Sequence, residues 1–468
     1  MSARMSDKTY LSAISCLDTR YLEDVKPLLN VCDEFAYYRN RILVELKYFT
    51  KLTSIPIKYN PMIDFTQEDF NKIMEKERVL RHDVKAIEYF IKELPEIQQS
   101  GKSHLIHVGL TSQDVCSIGF MLCFRDSVNI ILSQVMHFLQ VFQQQLIDPD
   151  SCNVYMTGIT HGQPATPTNF RKEMLIYYSR MFNIFIEIQN TLAHQLTVKF
   201  GGATGEFNAM KFTMPEINWP QWCDEFIKEF NNTTSPQKCI FQRSQYTNQC
   251  DNYDSVCKVL YQIKRMLHIL EHCRGNIWLY IHREYLVQHA ISTEIGSSTM
   301  PNKVNPIDIE NAKTAIEMAK RMIDGICDIL SETSYQRDVS DSSALRNFSS
   351  VAGYVLIAFK KFSTGVARLS PNVENINHEL EQHPEVILEG IQTYLKYHCN
   401  MPDAYEKMKT VSRGLKGITL QDIHNVINNL DILEEHKTQL KSLRPENYIG
   451  SPMPGLISNK QNIIDSSI

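Results

Sequence analysis

Glu294-Ile-Gly-Ser-Ser-Thr-Met-Pro-Asn-Lys-Val-Asn-Pro306 stands between two long stretches of helical periodicity. Its glycine and prolines prevent it from continuing either helix, and it offers few apolar side chains to a core. What it holds instead is polar: two adjacent serines, a lysine and two asparagines. On its own it reads as a solvated connection, the ordinary fate of such a segment. On a rigid helical scaffold it is also the kind of loop that carries function. The flanking sequence has to decide between the two.

Apolar residues at Met121, Phe124, Val128, Leu132, Val135, Phe138, Leu139 and Phe142 recur at helical spacing within 115–147. The same spacing returns over 170–200 through Met174, Tyr178, Met181, Phe185, Ile188 and Leu192, and again over 254–292, 306–333 and 343–369. Each stretch is far longer than the ~11–12 residues of an average helix, so together they predict an extended helical bundle. Long amphipathic helices leave apolar faces that one bundle cannot cover, which predicts oligomerisation. Before the bundle, a helical stripe covers 24–50 and a second covers about 67–95, with the polar insert Arg81-His82-Asp83 inside it. After Ser370-Pro371 the pattern shortens to helices of ordinary length. The fold class is therefore all-α, in three parts: an N-terminal helical domain over 1–109, the long-helix bundle over 110–369 and a C-terminal helical domain over 370–468.

Bulk properties exclude several classes. A chain of 468 residues exceeds what one compact core accommodates. Its 43% apolar and 22% charged residues are those of a soluble globular protein. A net charge of -5 argues against nucleic acid or an anionic membrane as partner. No run of 18 apolar residues is present, so no membrane span is expected. The first residues lack the apolar core of a secretory signal. The 12 cysteines include no Cys-x-x-Cys pair, which predicts free thiols in a reducing compartment, the cytoplasm, and no cysteine zinc site. The sequons at Asn231, Asn232 and Asn347 are then without meaning.

Polar clusters recur at the junctions of the bundle: His107-Val-Gly-Leu-Thr-Ser-Gln-Asp114, Thr160-His-Gly-Gln-Pro-Ala-Thr-Pro-Thr168 and Tyr335-Gln-Arg-Asp-Val-Ser-Asp-Ser-Ser-Ala-Leu-Arg346. Several such clusters on one bundle point to a composite polar pocket. His161 is a candidate general acid or base, although a lone histidine is more often structural. Lys303, Arg337 and Arg346 are residue types that hold phosphate or carboxylate groups, and equally types that decorate a surface. Ser297 and Ser298 follow a glycine, but the Gly-x-Ser-x-Gly elbow is missing and acyl hydrolysis is disfavoured. His268-Ile-Leu-Glu-His272 imitates a zinc-peptidase motif with no evident third ligand. Gly201-Gly-Ala-Thr-Gly205 imitates a phosphate cradle but lacks its Lys-Ser/Thr ending, so a helix-breaking loop is expected there.

Residues 296–306 resemble the signature loop of the fumarase/aspartase superfamily at ten of eleven positions, Asn302 standing where histidine is usual. Arg20-Tyr21, Arg81-His82-Asp83-Val84-Lys85, Thr111-Ser112-Gln113-Asp114, Thr160 to Pro167, Gln336-Arg337-Asp338 and Arg444-Pro-Glu-Asn-Tyr-Ile-Gly450 resemble the adenylosuccinate lyase family within it, closer to the bacterial type. The resemblance spans nearly the whole chain. It implies a homotetramer around a twenty-helix core, active sites shared between subunits, a nucleotide substrate and no metal or organic cofactor. The implied reaction is a carbon–nitrogen lysis of the amidine-lyase type. It is the reversible β-elimination of fumarate from adenylosuccinate to give AMP, and from the succinyl-carboxamide ribotide of purine biosynthesis to give its carboxamide.

By the same resemblance Ser297 is the general base and His161 protonates the departing nitrogen. Lys303, Val304 and Asn305, with Thr111 and Ser112, hold the succinyl carboxylates. Arg20, Tyr21, Arg337, Ser342, Ser343 and Arg346 hold the phosphate and nucleotide. Arg81, His82, Asp83, Gln249 and Asn311 line the site. The glycine and polar content of 290–305 predicts a lid. Two other readings are another lyase of the superfamily, acting for instance on argininosuccinate, and a structural oligomer on the same scaffold. The nucleotide-side arginines argue against the first, and the presence of both His161 and Ser297 against the second.

Overall fold

The computed structural model describes residues 13–231, 239–293, 299–414 and 417–451. Among them, the helices of eight residues or more are α1 (Glu34–Thr53), α2 (Gln67–Leu80), α3 (Asp83–Lys92), α4 (Ser112–Leu146), α5 (Phe170–His194), α6 (Trp219–Lys228) and α7 (Asp254–His282). They continue with α8 (Ile307–Leu330), α9 (Phe348–Val366), α10 (Val373–Glu381), α11 (Leu388–His398), α12 (Ala404–Ser412), α13 (Leu420–Asn428) and α14 (Glu434–Lys441). Each of the five periodic stretches of the bundle thus contains one long helix, α4, α5, α7, α8 and α9. The predicted all-α class holds with one qualification: among the described residues six short strands form three two-stranded sheets. These are β1 (Tyr155–Thr160) with β2 (Gln163–Asn169), β3 (Leu196–Val198) with β4 (Phe241–Arg243), and β5 (Leu286–Gln288) with β6 (Leu369–Pro371).

The chain divides into two units. Unit 1 comprises Met1–Phe138, Met181–Glu271 and Glu310–Phe362; unit 2 comprises Leu139–Arg180, His272–Ile309 and Ser363–Ile468. In unit 1, α1, α2 and α3 enclose a cluster built on Tyr38, Ile42, Leu46, Phe49, Ile73, Ile87, Phe90 and Ile91. Burying a side chain of this size contributes about 1.5–3 kcal/mol. The predicted helical stretch over about 67–95 is two helices, divided at its polar insert. α2 opens on a Thr66–Asp69 capping box and ends at Arg81, which adopts φ +51° so that its N–H reaches Glu77 O at 2.7 Å. His82 then caps α3, its Nδ1 accepting Lys85 N–H at 3.2 Å. Two helix ends meet within two residues because each end needs its orphaned backbone groups satisfied.

Elsewhere in unit 1, α4 and α9 meet through aromatic rings: Phe348 lies 5.0 Å from Phe124 and Phe138 lies 5.3 Å from Phe362, centroid to centroid. α4 is long and apolar enough to cross a membrane by length and composition alone, yet 78% of its most apolar window is buried within the protein. In unit 2, α10 packs against β1, and α11 to α14 surround a cluster of Ile387, Ile391, Leu395, Met408, Ile423 and Ile427. All twelve cysteines are free.

Candidate active site

In unit 2 the predicted junction 160–168 is a β-hairpin. Thr160 and Gln163 pair, leaving His161 and Gly162 as a two-residue turn with φ +52° and +72°. Positive φ at both positions is a type I′ turn, whose twist suits the flanking strands. Histidine is among the few residues with a side chain that tolerate this region. The ring therefore sits exposed at a rigid tip. A bulge between Thr157 and Gly158 adds Thr166 to the second strand. A Cβ on Gly158 would lie 2.4 Å from Thr166 O, so only glycine fits.

Also in unit 2, Lys303 and Val304 are exposed and Asn305 is half-buried at the entrance to α8. Asn305 O accepts Ile307 N–H at 2.9 Å and Gln288 Nε2 at 3.2 Å, which fixes the start of the helix. Ser297 lies outside the described residues, as does the whole of 294–298 in the expected lid.

Unit 1 holds the remaining predicted residues. Asp83 joins two arginines: Oδ2 lies 2.6 Å from Arg41 Nη1 and 3.5 Å from Arg346 Nη2, while Oδ1 accepts Val84 N–H. Arg346 Nη1 reaches Glu34 Oε1 at 2.8 Å. Burial pushes the Asp83 carboxyl up, but Arg41 outweighs it and holds the group below its ordinary value. Arg41 is fully buried, with its guanidinium 4.2 Å from the rings of both Tyr37 and Tyr38. Arg81 and His82, the residues that cap the helices on either side, are exposed beside Asp83.

Thr111 and Ser112 open α4. Thr111 N–H bonds Asp114 Oδ2 at 2.8 Å. Asp114 Oδ1 in turn accepts Lys199 Nζ at 2.6 Å and Gly201 N–H at 2.8 Å. Burial lowers the pKa of Lys199, with Asp114 opposing. The glycine loop 201–205 thus cradles a carboxylate of its own chain.

Gln249 and Arg337 touch: Arg337 Nη1 donates to Gln249 Oε1 at 3.2 Å, and Gln249 N–H bonds Gln336 O at 3.2 Å. Ser342 and Ser343 lie on the short helix Ser340–Leu345, Asn311 near the start of α8, and Arg20 and Tyr21 just before the short helix Leu22–Val25. Among the described residues, no direct polar bond joins Arg20, Tyr21 or Asn311 to another predicted residue.

Sequence reasoning missed Arg41, Glu34, Lys199 and Asp341. Arg41 and Lys199 are charged residues inside apolar surroundings, and pattern reading places such residues outside. Asp341 stood within a quoted polar cluster, but its burial could not be read from its neighbours. The peptidase-like His268 and His272 lie on α7, and no group of three or more potential ligands among the described residues could hold a metal.

Residues 35–322 match the family model described as Lyase, and residues 333–449 the one described as Adenylosuccinate lyase C-terminal. The chain is 35% identical to the adenylosuccinate lyase of Dictyostelium discoideum, the match covering 94% of this chain and 97% of the relative. It is 34% identical to that of Haemophilus influenzae over the same shares. In structure it is similar to a fumarate lyase from Mesorhizobium sp. BNC1, with a TM-score of 0.69 at 13% identity over 91% of this chain and 95% of the other, a likeness of fold.

Proposed function

The chain belongs to the adenylosuccinate lyase family of the fumarase/aspartase superfamily, and from that membership we infer that it is a carbon–nitrogen lyase cleaving adenylosuccinate to AMP and fumarate. The observation that carries this is the match over nearly the full length of both chains. The succinyl-carboxamide ribotide is the second substrate, with the same succinyl–nitrogen bond to break.

β-Elimination takes a proton from the carbon beside a carboxylate, forms the carbon–carbon double bond of fumarate and expels the purine nitrogen, which must leave protonated. Charge gathers on the carboxylate as the proton departs, so fixed donors and cations around it lower the barrier. We assign the base role to Ser297 and the acid role to His161. The type I′ turn supports the second assignment, because it presents the imidazole on a rigid, exposed tip. Lys303, Val304, Asn305, Thr111 and Ser112 are assigned to the succinyl end; exposed Lys303 and the buried brace behind Thr111 support this. Arg20, Tyr21, Arg337, Ser342, Ser343 and Arg346 are assigned to the phosphate and nucleotide, and Arg81, His82, Asp83, Gln249 and Asn311 to the lining. The lid reading of 290–305 rests on its composition.

We further propose a homotetramer with shared sites, located in the cytoplasm. Supporting the first are exposed apolar residues on the long helices, among them Tyr261, Trp278, Leu279, Met318 and Ile329. Twelve free thiols support the second. The division into domains at 1–109, 110–369 and 370–468 is supported by separate apolar clusters within 38–106 and 386–440.

The test is to incubate the pure protein with adenylosuccinate, without added metal, and follow fumarate and AMP. Ser297→Ala and His161→Ala should each lower kcat by at least ~100-fold, the scale of general acid–base help. Undiminished turnover in Ser297→Ala would remove serine from the base role.

A further inference from the structure

Asp341 is 6% exposed in the first turn of the helix Ser340–Leu345. Its Oδ2 accepts two hydrogen bonds, from Gln113 Nε2 at 2.8 Å and from the Tyr253 hydroxyl at 2.8 Å. Its Oδ1 faces Arg337 Nη2 at 3.7 Å and takes no hydrogen bond among the described residues. Gln113 follows Thr111 and Ser112 at the start of α4. Tyr253 ends the loop that carries Gln249. Arg337, Ser342, Ser343 and Arg346 lie on the same segment as Asp341 itself. One buried carboxylate therefore joins three separate stretches of unit 1, each carrying residues assigned above to the substrate.

We propose that Asp341 is a positioning residue for nucleotide binding: it supplies the buried counter-charge that orients Arg337 and ties the 111–113 turn to the 249–253 loop. The inference rests on the reading of Arg337 as a nucleotide contact. Arg337 has five N–H donors. Nη1 is directed to Gln249 and Nη2 faces Asp341, while Nε is buried without a hydrogen bond among the described residues. Held from two sides, the guanidinium has less side-chain freedom left to lose when an anion arrives at its remaining Nη donors. A carboxylate suits this position better than an amide. It takes two donors on one oxygen and still carries charge toward Arg337 on the other, whereas an amide that kept both bonds on its oxygen would turn its NH2, a donor without charge, toward the Arg337 guanidinium. Burial, followed by the Asp341 charge, pushes the Tyr253 hydroxyl well above its usual range, so Tyr253 remains a donor.

The experiment is a double-mutant cycle on the intact oligomer, reading the AMP dissociation constant by calorimetry and kcat with adenylosuccinate. Asp341→Asn should weaken AMP by about tenfold while kcat falls by less than about threefold, the pattern of lost binding and not of lost chemistry. Arg337→Met should weaken AMP at least as much. In the Arg337→Met background, adding Asp341→Asn should change AMP binding by less than about twofold, because residues acting through one another are not additive. Multiplying effects, or unchanged AMP affinity in Asp341→Asn alone, would overturn the positioning role and leave Arg337 as a contact. Unchanged AMP affinity in Arg337→Met would overturn the contact and the proposal with it. Should Asp341→Asn not fold, Tyr253→Phe removes one of the two donors. Its effect on AMP, about twofold or more, should likewise vanish in the Arg337→Met background, and persistence there overturns the proposal.

Discussion

Arg41 has no water to turn to: its side chain is fully buried, and Asp83 is its carboxylate partner at 2.6 Å. Breaking a buried pair from one side leaves an uncompensated charge, which is far costlier than the pair's own worth. Because the Asp83 side chain is 27% exposed, Asp83→Ala should lower the unfolding free energy by about 1–3 kcal/mol, less than for a fully buried pair, read from denaturant midpoints. A loss below about 1 kcal/mol would mean that Arg41 finds water or another partner. Asp251 poses the opposite problem. Burial raises its carboxyl to about 6, even though the Ser244 hydroxyl donates to it at 2.7 Å. Its folded form holds the proton more tightly than the unfolded chain does. Its contribution to stability is thus fully present below the ordinary carboxylate range and is lost as pH rises through about 6. Asp251→Asn should flatten the fall in stability between roughly pH 4 and 6, and an unaltered slope would place the group's ionisation elsewhere.

At the scale of elements, the hairpin that presents His161 shows why pattern reading stops short. Residues 163–169 contain Pro164 and Pro167, and a proline within a strand argues against the strand. Here the sheet has only two strands, so each has a free edge on which a missing N–H costs nothing. The long helices, by contrast, declared themselves, because a repeat sustained over many turns averages out local exceptions. The turn itself separates structure from chemistry. His161→Asn creates Asn-Gly, the preferred type I′ pair. It should leave the melting temperature at or above the wild-type value while kcat falls at least ~100-fold. Loss of melting temperature in step with activity would mean that the histidine serves the turn and not the reaction.

The exposed apolar side chains of α7 and α8, Trp278 at 42% and Met318 at 43% among them, set the question for the whole molecule. On a solitary chain they would face water; in the proposed tetramer they would be covered. If sites are shared between subunits, mixing inactive Ser297→Ala with inactive His161→Ala and allowing subunits to exchange should restore part of the activity. After exchange verified by differential labelling, no recovery would count against composite sites.

The amino-acid sequence by itself determined the helical class, the presence and order of the long helices, the polar character of their junctions and, through residues 296–306 with their companion motifs, the family. These are properties of spacing and of short contiguous patterns, written locally along the chain. Only the tertiary structure decided that His161 stands on a β-turn, that the glycine loop 201–205 serves Asp114, that Asp83 is shared by Arg41 and Arg346, and that Asp341 joins three segments. For the turn the reason is local, the prolines that hid the strand; for the three carboxylates it is distance along the chain. The partner that satisfies a buried charge or donor lies tens to hundreds of residues away in sequence, Gln113 and Asp341 being 228 apart, and no local pattern records which distant residue the fold will bring to it.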